Sequence, residues 1–175
     1  MTLNICLHGA ESTGKSTLAP VIADYLGAVI VEEYGRIYCE RHGTELSLDD
    51  LRAIFDGHVA ATKAARAEGA KVILSDTDPL MTQAWAVMLF GVRLPEIDAW
   101  GDVADFYLVP ALDLPWQDDG TRMFGTSQAR ARFMDVATME LERRGLPWAW
   151  VHGQGAARAE SAKAALCHAG FGPTQ

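Results

Sequence analysis

The chain is short of cysteine, of basic charge and of long apolar runs, and each shortage excludes something. Cys6, Cys39 and Cys167 are the three cysteines among 175 residues. They lie far apart and form no C-x-x-C pair, so a disulfide framework is not expected, and buried reduced thiols are. The five histidines show no H-x-x-x-H spacing and no His/Cys cluster, which argues against a structural zinc. Lysine and arginine total 15 against 23 acidic residues, a net charge of −8. Proteins that grip nucleic acid carry a basic face to neutralise phosphates, so no nucleic-acid partner is expected. No apolar run approaches the length of a membrane span. The start MTLNICLHG has no basic n-region and no cleavage-like site. Neither a membrane partner nor a signal peptide is expected, and the cytoplasm is the expected location.

What is present reads as one α/β domain over residues 1–175. Hydrophobic residues make up 49% and charged residues 22%, a globular balance on a chain long enough to bury a core. Short apolar runs at 3–8, 28–33, 71–76, 104–110 and 148–153 read as strands. Helical patterns lie between them at 15–26, 46–69, 79–91 and about 126–144, and an Ala-rich helix ends at His168. Gly27 and Gly69 stop two of these helices, and Pro79 starts another. Ser47 followed by Asp50 forms a capping-box pattern. The helix after it carries an apolar stripe at Leu48, Leu51, Phe55, Val59 and Thr62. Five strand–helix alternations give a mostly parallel five-stranded sheet with helices on both faces, a three-layer sandwich with right-handed crossovers. The longest interruption, 110–126, reads as part of a lid at about 112–132.

The sharpest signal is HGAESTGKST, residues 8–17. Gly9, Ala10, Glu11, Ser12, Thr13, Gly14, Lys15 and Ser16 fit G-x-x-x-x-G-K-[ST], with a strand before and a helix after. Glycines let successive N–H groups converge on an anion, and the helix N-terminus adds its positive end. Lys15 reaches the terminal phosphates, Ser16 offers a hydroxyl to Mg²⁺, and Thr17 sits close by. A nucleoside triphosphate, ATP with Mg²⁺, is the expected ligand.

Acidic residues fall where ligands gather in open α/β sheets, at the carboxyl ends of strands. Asp76 is placed to hold Mg²⁺ or to take a proton from an acceptor hydroxyl. Asp78 either reaches the acceptor or caps the helix that starts at Pro79. Glu33, Tyr34 and Arg36 either contact an acceptor or simply begin a helix. Gln83 is taken with the acceptor residues, while Trp85 reads as core. Asp118, Asp119 and Arg122 in the lid look like parts of a site. Arg130 and Arg132 either close over the nucleotide or face solvent. HGQGAAR (152–158) is a weak candidate for contact with adenine.

Taken in order, GAESTGKS, EYGR (33–36), DTD with TQA (76–78 and 82–84), DDGTR (118–122) and SQARARF (127–133) resemble the ribosylnicotinamide kinase domain of the NadR family, a branch of the P-loop small-molecule kinases. The resemblance covers most of the chain. It implies ATP-dependent phosphorylation of nicotinamide riboside at its 5′-hydroxyl, giving nicotinamide mononucleotide in NAD salvage. By the same resemblance, Lys15, Ser16 and Thr17 serve ATP and Mg²⁺, and Asp76 and Asp78 serve acceptor and metal. Glu33, Tyr34 and Arg36 line the riboside pocket, and Arg122 belongs to the lid. The nucleotidyltransferase and DNA-binding segments of longer family members are not expected here. Family members carry tryptophan just before the Glu-Tyr-Gly-Arg run, where this chain has Glu32, a carboxylate suited to a cationic pyridinium. Two other readings stay open. One is a kinase of another nucleoside or nucleotide, although a monophosphate acceptor calls for several arginines and Arg36 stands alone. The other is an ATPase or nucleotide switch acting through a partner.

Overall fold

A computed structural model describes residues 2–172. Five strands, β1 (Leu3–Leu7), β2 (Val29–Val31), β3 (Val72–Asp76), β4 (Phe106–Pro110) and β5 (Trp148–Val151), form one sheet in the order β2-β3-β1-β4-β5. All four pairings are parallel. The central strands are buried on both faces, which is why they read as continuous apolar runs. Alternate residues serve opposite layers. Ile5, Leu7, Leu74, Phe106 and Leu108 pack beneath α1 (Lys15–Leu26) and α7 (Gly155–His168). Cys6, Tyr107 and Val109 pack toward α3 (Leu48–Ala67), α4 (Pro79–Phe90) and α6 (Ser127–Arg143).

The helices begin and end where local chemistry dictates. Gly27 closes α1 at φ 64°, and Gly91 closes α4 at φ 65°. Ser47 and Asp50 complete the capping box on α3, and Thr126 caps α6. α2 (Tyr34–His42) is the helix offered as the alternative for Glu33, Tyr34 and Arg36, and the single turn α5 (Pro95–Asp98) is additional to the expected elements. α2 buries no residue fully, so its sequence YGRIYCERH carries no apolar stripe.

The stripe on α3 differs from the expected one. Its buried residues are Leu51, Ile54, His58 and Ala65, while Leu48, Phe55, Val59 and Thr62 are half-buried. Gly57 in mid-helix has a steric cause, because a Cβ there would collide with the Tyr34 ring. Of the cysteines expected to be buried, only Cys6 is; Cys39 is half-buried and Cys167 is exposed, and all three are reduced. No helix among the described residues is long and apolar enough to cross a membrane.

Candidate active site

The register of the sheet builds the site. β1 ends with Leu7 abreast of Asp76 on one side and Leu108 on the other. Residues 8–14 then leave the sheet over the carboxyl ends of the strands. Gly9 stands at φ 120°, with Met134 and Val109 too close to admit a side chain without movement. Ser12 takes a left-handed φ of 54° without being glycine. Gly14 is the N-cap of α1 at φ 78° and offers no capping side chain, which leaves the first-turn N–H groups available to an anion. Thr13 is buried and donates its hydroxyl to Ala10 O at 2.9 Å, so its side chain shapes the loop. Lys15 Nζ donates to Gly9 O and Ala10 O at 2.9 and 2.8 Å. Thr17 is exposed at the cavity wall.

Ser16 Oγ donates to Asp76 Oδ2 at 2.7 Å, and Asp76 Oδ1 is buried with no hydrogen-bond partner. A hydroxyl joined to a carboxylate that keeps a free oxygen is a donor set suited to Mg²⁺, which takes hard oxygen ligands. The residues present therefore fit that ion.

The lid sits directly on this loop. Glu11 is half-buried, and its carboxylate accepts from Met123 N and Phe124 N at 3.1 Å each. Ser12 Oγ accepts from Gln117 N and from Arg122 Nη1, at 3.0 and 2.5 Å. Arg130 reaches Ser12 O and Leu114 O, whereas Arg132 is exposed. Asp119 bridges two arginines, Arg122 at 2.8 Å and Arg36 at 3.4 Å. Asp118 accepts from Gly120 N within the lid turn. Asp118 and Asp119 do not line the cavity; they shape the lid, which corrects the expectation that they bind substrate.

A cavity of about 240 Å³ runs from the phosphate loop to an apolar end formed by α2, α3, α4 and α6. Glu33, Gly35, Arg36, Cys39, Leu46, Leu51, Ile54, His58, Thr82, Trp85 and Phe133 line that end. Trp85, expected in the core, forms part of the wall and packs on Phe124 of the lid and Phe133, with ring centroids 5.2 and 5.1 Å away. Burial pushes the Glu33 carboxyl up, while Lys15 draws it back down. Asp76 adds to the upward push and Arg36 opposes it.

Four expected acceptor residues lie elsewhere. Asp78 accepts from Leu80 N at 2.9 Å, capping α4, and from Tyr107 Oη at 2.7 Å. Burial raises its carboxyl to about 6. Both oxygens are engaged, so the capping alternative describes its place. Gln83 is fully buried and spends its amide on the backbone of Leu94. Tyr34 lies across Gly57 rather than in the cavity wall. Glu32 is exposed and absent from the wall, so it cannot serve a pyridinium there.

Sequence reading singled out 152–158 for adenine but not what its last residue does, and it missed one buried cluster. Arg158 on α7 is buried and binds the backbone oxygens of Thr13, Ala111 and Gly153, besides pairing with Asp113. With Gly155 and Ala156 of the same 152–158 segment it lines a second hollow, along with Gly14, Thr17 and Leu114. The polar atoms of Cys6, His8 and Asp78 lie within 4.8 Å of one another, although no local spacing pointed to such a group. His8 Nε2 bonds Ala137 O and Asp78 is held as above, so this group serves packing.

The comparisons with known proteins come to the same fold. Residues 4–158 match the family described as AAA domain. The trifunctional NAD biosynthesis/regulator protein NadR of Escherichia coli (strain K12) is 34% identical over 148 residues, 81% of this chain and 36% of that protein. The chain thus spans about a third of the length of the curated relative it matches. A crystal structure of NadR protein in complex with NR superposes with a TM-score of 0.78 at 22% identity, covering 99% of this chain and 52% of that one. Thymidylate kinase from Ehrlichia chaffeensis superposes with a TM-score of 0.68 at 14% identity, covering 93% and 98%. The fold is that of the P-loop kinases.

Proposed function

The chain belongs to the AAA-domain family and is NadR-like, and on that premise we propose that it is an ATP-dependent kinase whose acceptor is the 5′-hydroxyl of nicotinamide riboside. The observation that carries this reading is the continuity of one cavity. The phosphate loop forms one end, an aromatic-walled apolar space the other, and Glu33 belongs to the same wall. A water-activating ATPase has no use for an apolar acceptor space of this kind. The relative's description as a NAD biosynthesis protein and the NR bound by the NadR neighbour support this choice of acceptor.

The chemistry follows from the residues. Lys15 and the N–H groups of residues 9–16 hold the β- and γ-phosphates of ATP. Ser16 and Asp76 would hold Mg²⁺, which supplies charge neutralisation on the phosphate oxygens when bound. Glu33 accepts the proton of the 5′-hydroxyl as its oxygen bonds to the γ-phosphorus and the bond to ADP breaks. Its raised proton affinity fits a general base better than that of an ordinary surface glutamate. Asp78 is not the base in this scheme. Arg122 and Arg130, held against Ser12, bring positive charge to the transferred group and exclude water when the lid is seated.

The test is ADP release from Mg·ATP with and without nicotinamide riboside, with mass detection of the product. Strong stimulation and a riboside heavier by one phosphoryl group are expected. Steady ATP hydrolysis indifferent to the riboside would sink the assignment.

A further inference from the structure

Arg36 stands between two carboxylates from different segments. Its Nη2 lies 3.5 Å from Glu33 Oε2 at the start of α2, and its Nη1 lies 3.4 Å from Asp119 Oδ2 on the lid. Both separations exceed the roughly 2.7–2.9 Å of a charge-assisted hydrogen bond, so the guanidinium is shared by the two carboxylates and locked to neither. Asp119 is held more firmly. Thr121 N and Oγ1 donate to its Oδ1 at 3.0 and 2.8 Å, and Arg122 Nε meets its Oδ2 at 2.8 Å. Arg122 continues to Ser12 Oγ in the phosphate loop. A row of alternating charge, Glu33, Arg36, Asp119 and Arg122, therefore runs from the wall where the acceptor hydroxyl is placed, across the lid, to the phosphate loop. Glu33, Arg36 and Arg122 line the cavity and Asp119 does not, so whatever Asp119 does for the reaction it does through the two arginines.

We propose that Arg36 and Asp119 form a latch through which the acceptor seats the lid, with Asp119 as a positioning residue; this rests on the reading above, in which the acceptor hydroxyl meets Glu33. Without an acceptor, Glu33 and Asp119 compete for one guanidinium. A hydroxyl donating to Glu33 occupies a lone pair of that carboxylate and weakens its pull on Arg36. Arg36 then closes on Asp119, and Arg122, bound to the same carboxylate oxygen, is fixed against Ser12. The acceptor thus adds to the hold that Glu11 already has on the lid. A lid seated in this way keeps water from the γ-phosphate while the acceptor is in place.

The experiment measures ADP and mononucleotide together, on the full chain with Mg·ATP and saturating nicotinamide riboside. The wild type should form the two nearly one for one. Asp119→Asn should slow mononucleotide formation and raise the ratio of ADP to mononucleotide by roughly threefold to fivefold, the size of effect that part-exposed ion pairs carry. Loss of folded protein lowers both products in proportion and leaves that ratio unmoved. Asp119→Glu keeps the charge and should restore the coupling. Arg36→Gln should uncouple to a similar degree, and the double variant should be no worse than either single one, because the two residues act as one unit. A ratio that stays near one in Asp119→Asn, or single effects that multiply in the double variant, would overturn the latch and leave the kinase reading standing. A wild type that makes no mononucleotide would overturn the acceptor assignment and this inference with it.

Discussion

Glu11, inside the phosphate loop, holds the backbone N–H groups of Met123 and Phe124 in the lid. Phe124 in turn packs on Trp85 in the acceptor wall. One carboxylate thus links the nucleotide loop to the far end of the cavity. Hydrogen bonds to a charged acceptor contribute about 1.5–3 kcal/mol each, so Glu11→Gln should open the lid about tenfold more often. Trypsin cleavage after Arg122 should accelerate accordingly, and ATP hydrolysis without acceptor should rise. An unchanged cleavage rate would show that the lid is seated by other contacts.

Ser16 and Asp76 meet at 2.7 Å across the mouth of the phosphate loop. Asp76→Asn should lower kcat about 100-fold, and the Mg²⁺ concentration for half-maximal rate should rise. Ser16→Ala should act in the same direction more weakly. A variant with a normal Mg²⁺ titration would remove Asp76 from the metal site.

Glu33→Gln should lower kcat by about 100-fold to 10,000-fold, the usual contribution of a general base, with little effect on KM for ATP. The base must be ionised to act, and burial raises its proton affinity. Wild-type kcat should therefore climb with pH through an acid limb above the ordinary glutamate range, and that limb should vanish in the variant. An acid limb that survives Glu33→Gln belongs to another group.

Stability should fall on acidification from pH 6.5 to 4.5. Burial holds His8 and His58 down at about 4, so the stability they give is full above 6.5 and lost as the pH falls toward 4. Asp78 has the opposite sign: its carboxyl is raised to about 6, so its contribution is present at low pH and lost as the pH rises through 6. On acidification the two imidazoles favour the unfolded chain, whereas Asp78 and Glu33, whose carboxyl burial also raises, favour the folded protein. The two imidazoles outweigh the carboxyls, so the net change over this window is a loss. Urea titrations at the two pH values measure it. His8→Asn should flatten the difference, and equal stabilities in the wild type would contradict the buried, neutral state of both imidazoles.

Gly57→Ala tests the α2–α3 seam. Helix propensity alone favours alanine by up to about 1 kcal/mol. A Cβ here meets the Tyr34 ring, and overpacking costs about 1–3 kcal/mol. Net destabilisation is expected by urea unfolding, and Tyr34→Ala should relieve it in the double variant. Stabilisation by Gly57→Ala alone would mean that Tyr34 swings aside freely.

The framework was legible because its signals are local. Doubly buried strands read as apolar runs, Gly27 and Gly91 mark helix ends by their left-handed backbone, and the Ser47–Asp50 box sits within four residues. The phosphate loop is likewise contiguous. α2 stayed only an alternative because a helix that roofs a cavity has no buried stripe to announce it. Asp78 and Gln83 misled because polar residues at strand and helix ends serve caps and loop carbonyls as readily as substrates. The partners of Arg158 lie in segments far from it along the chain, which no local spacing encodes.

The central position of β1 has a consequence for the order of events during synthesis. Of the five strands this one is made before the others, but its hydrogen-bonding neighbours are residues 72–76 and 106–108. Pairings so distant along the chain close slowly, since long loops must be ordered before they return any energy. The nascent phosphate loop therefore waits, unsupported, until well over half of the 175 residues have been made. An N-terminal fragment shorter than that carries the whole phosphate motif and none of the geometry that lets it hold a nucleotide.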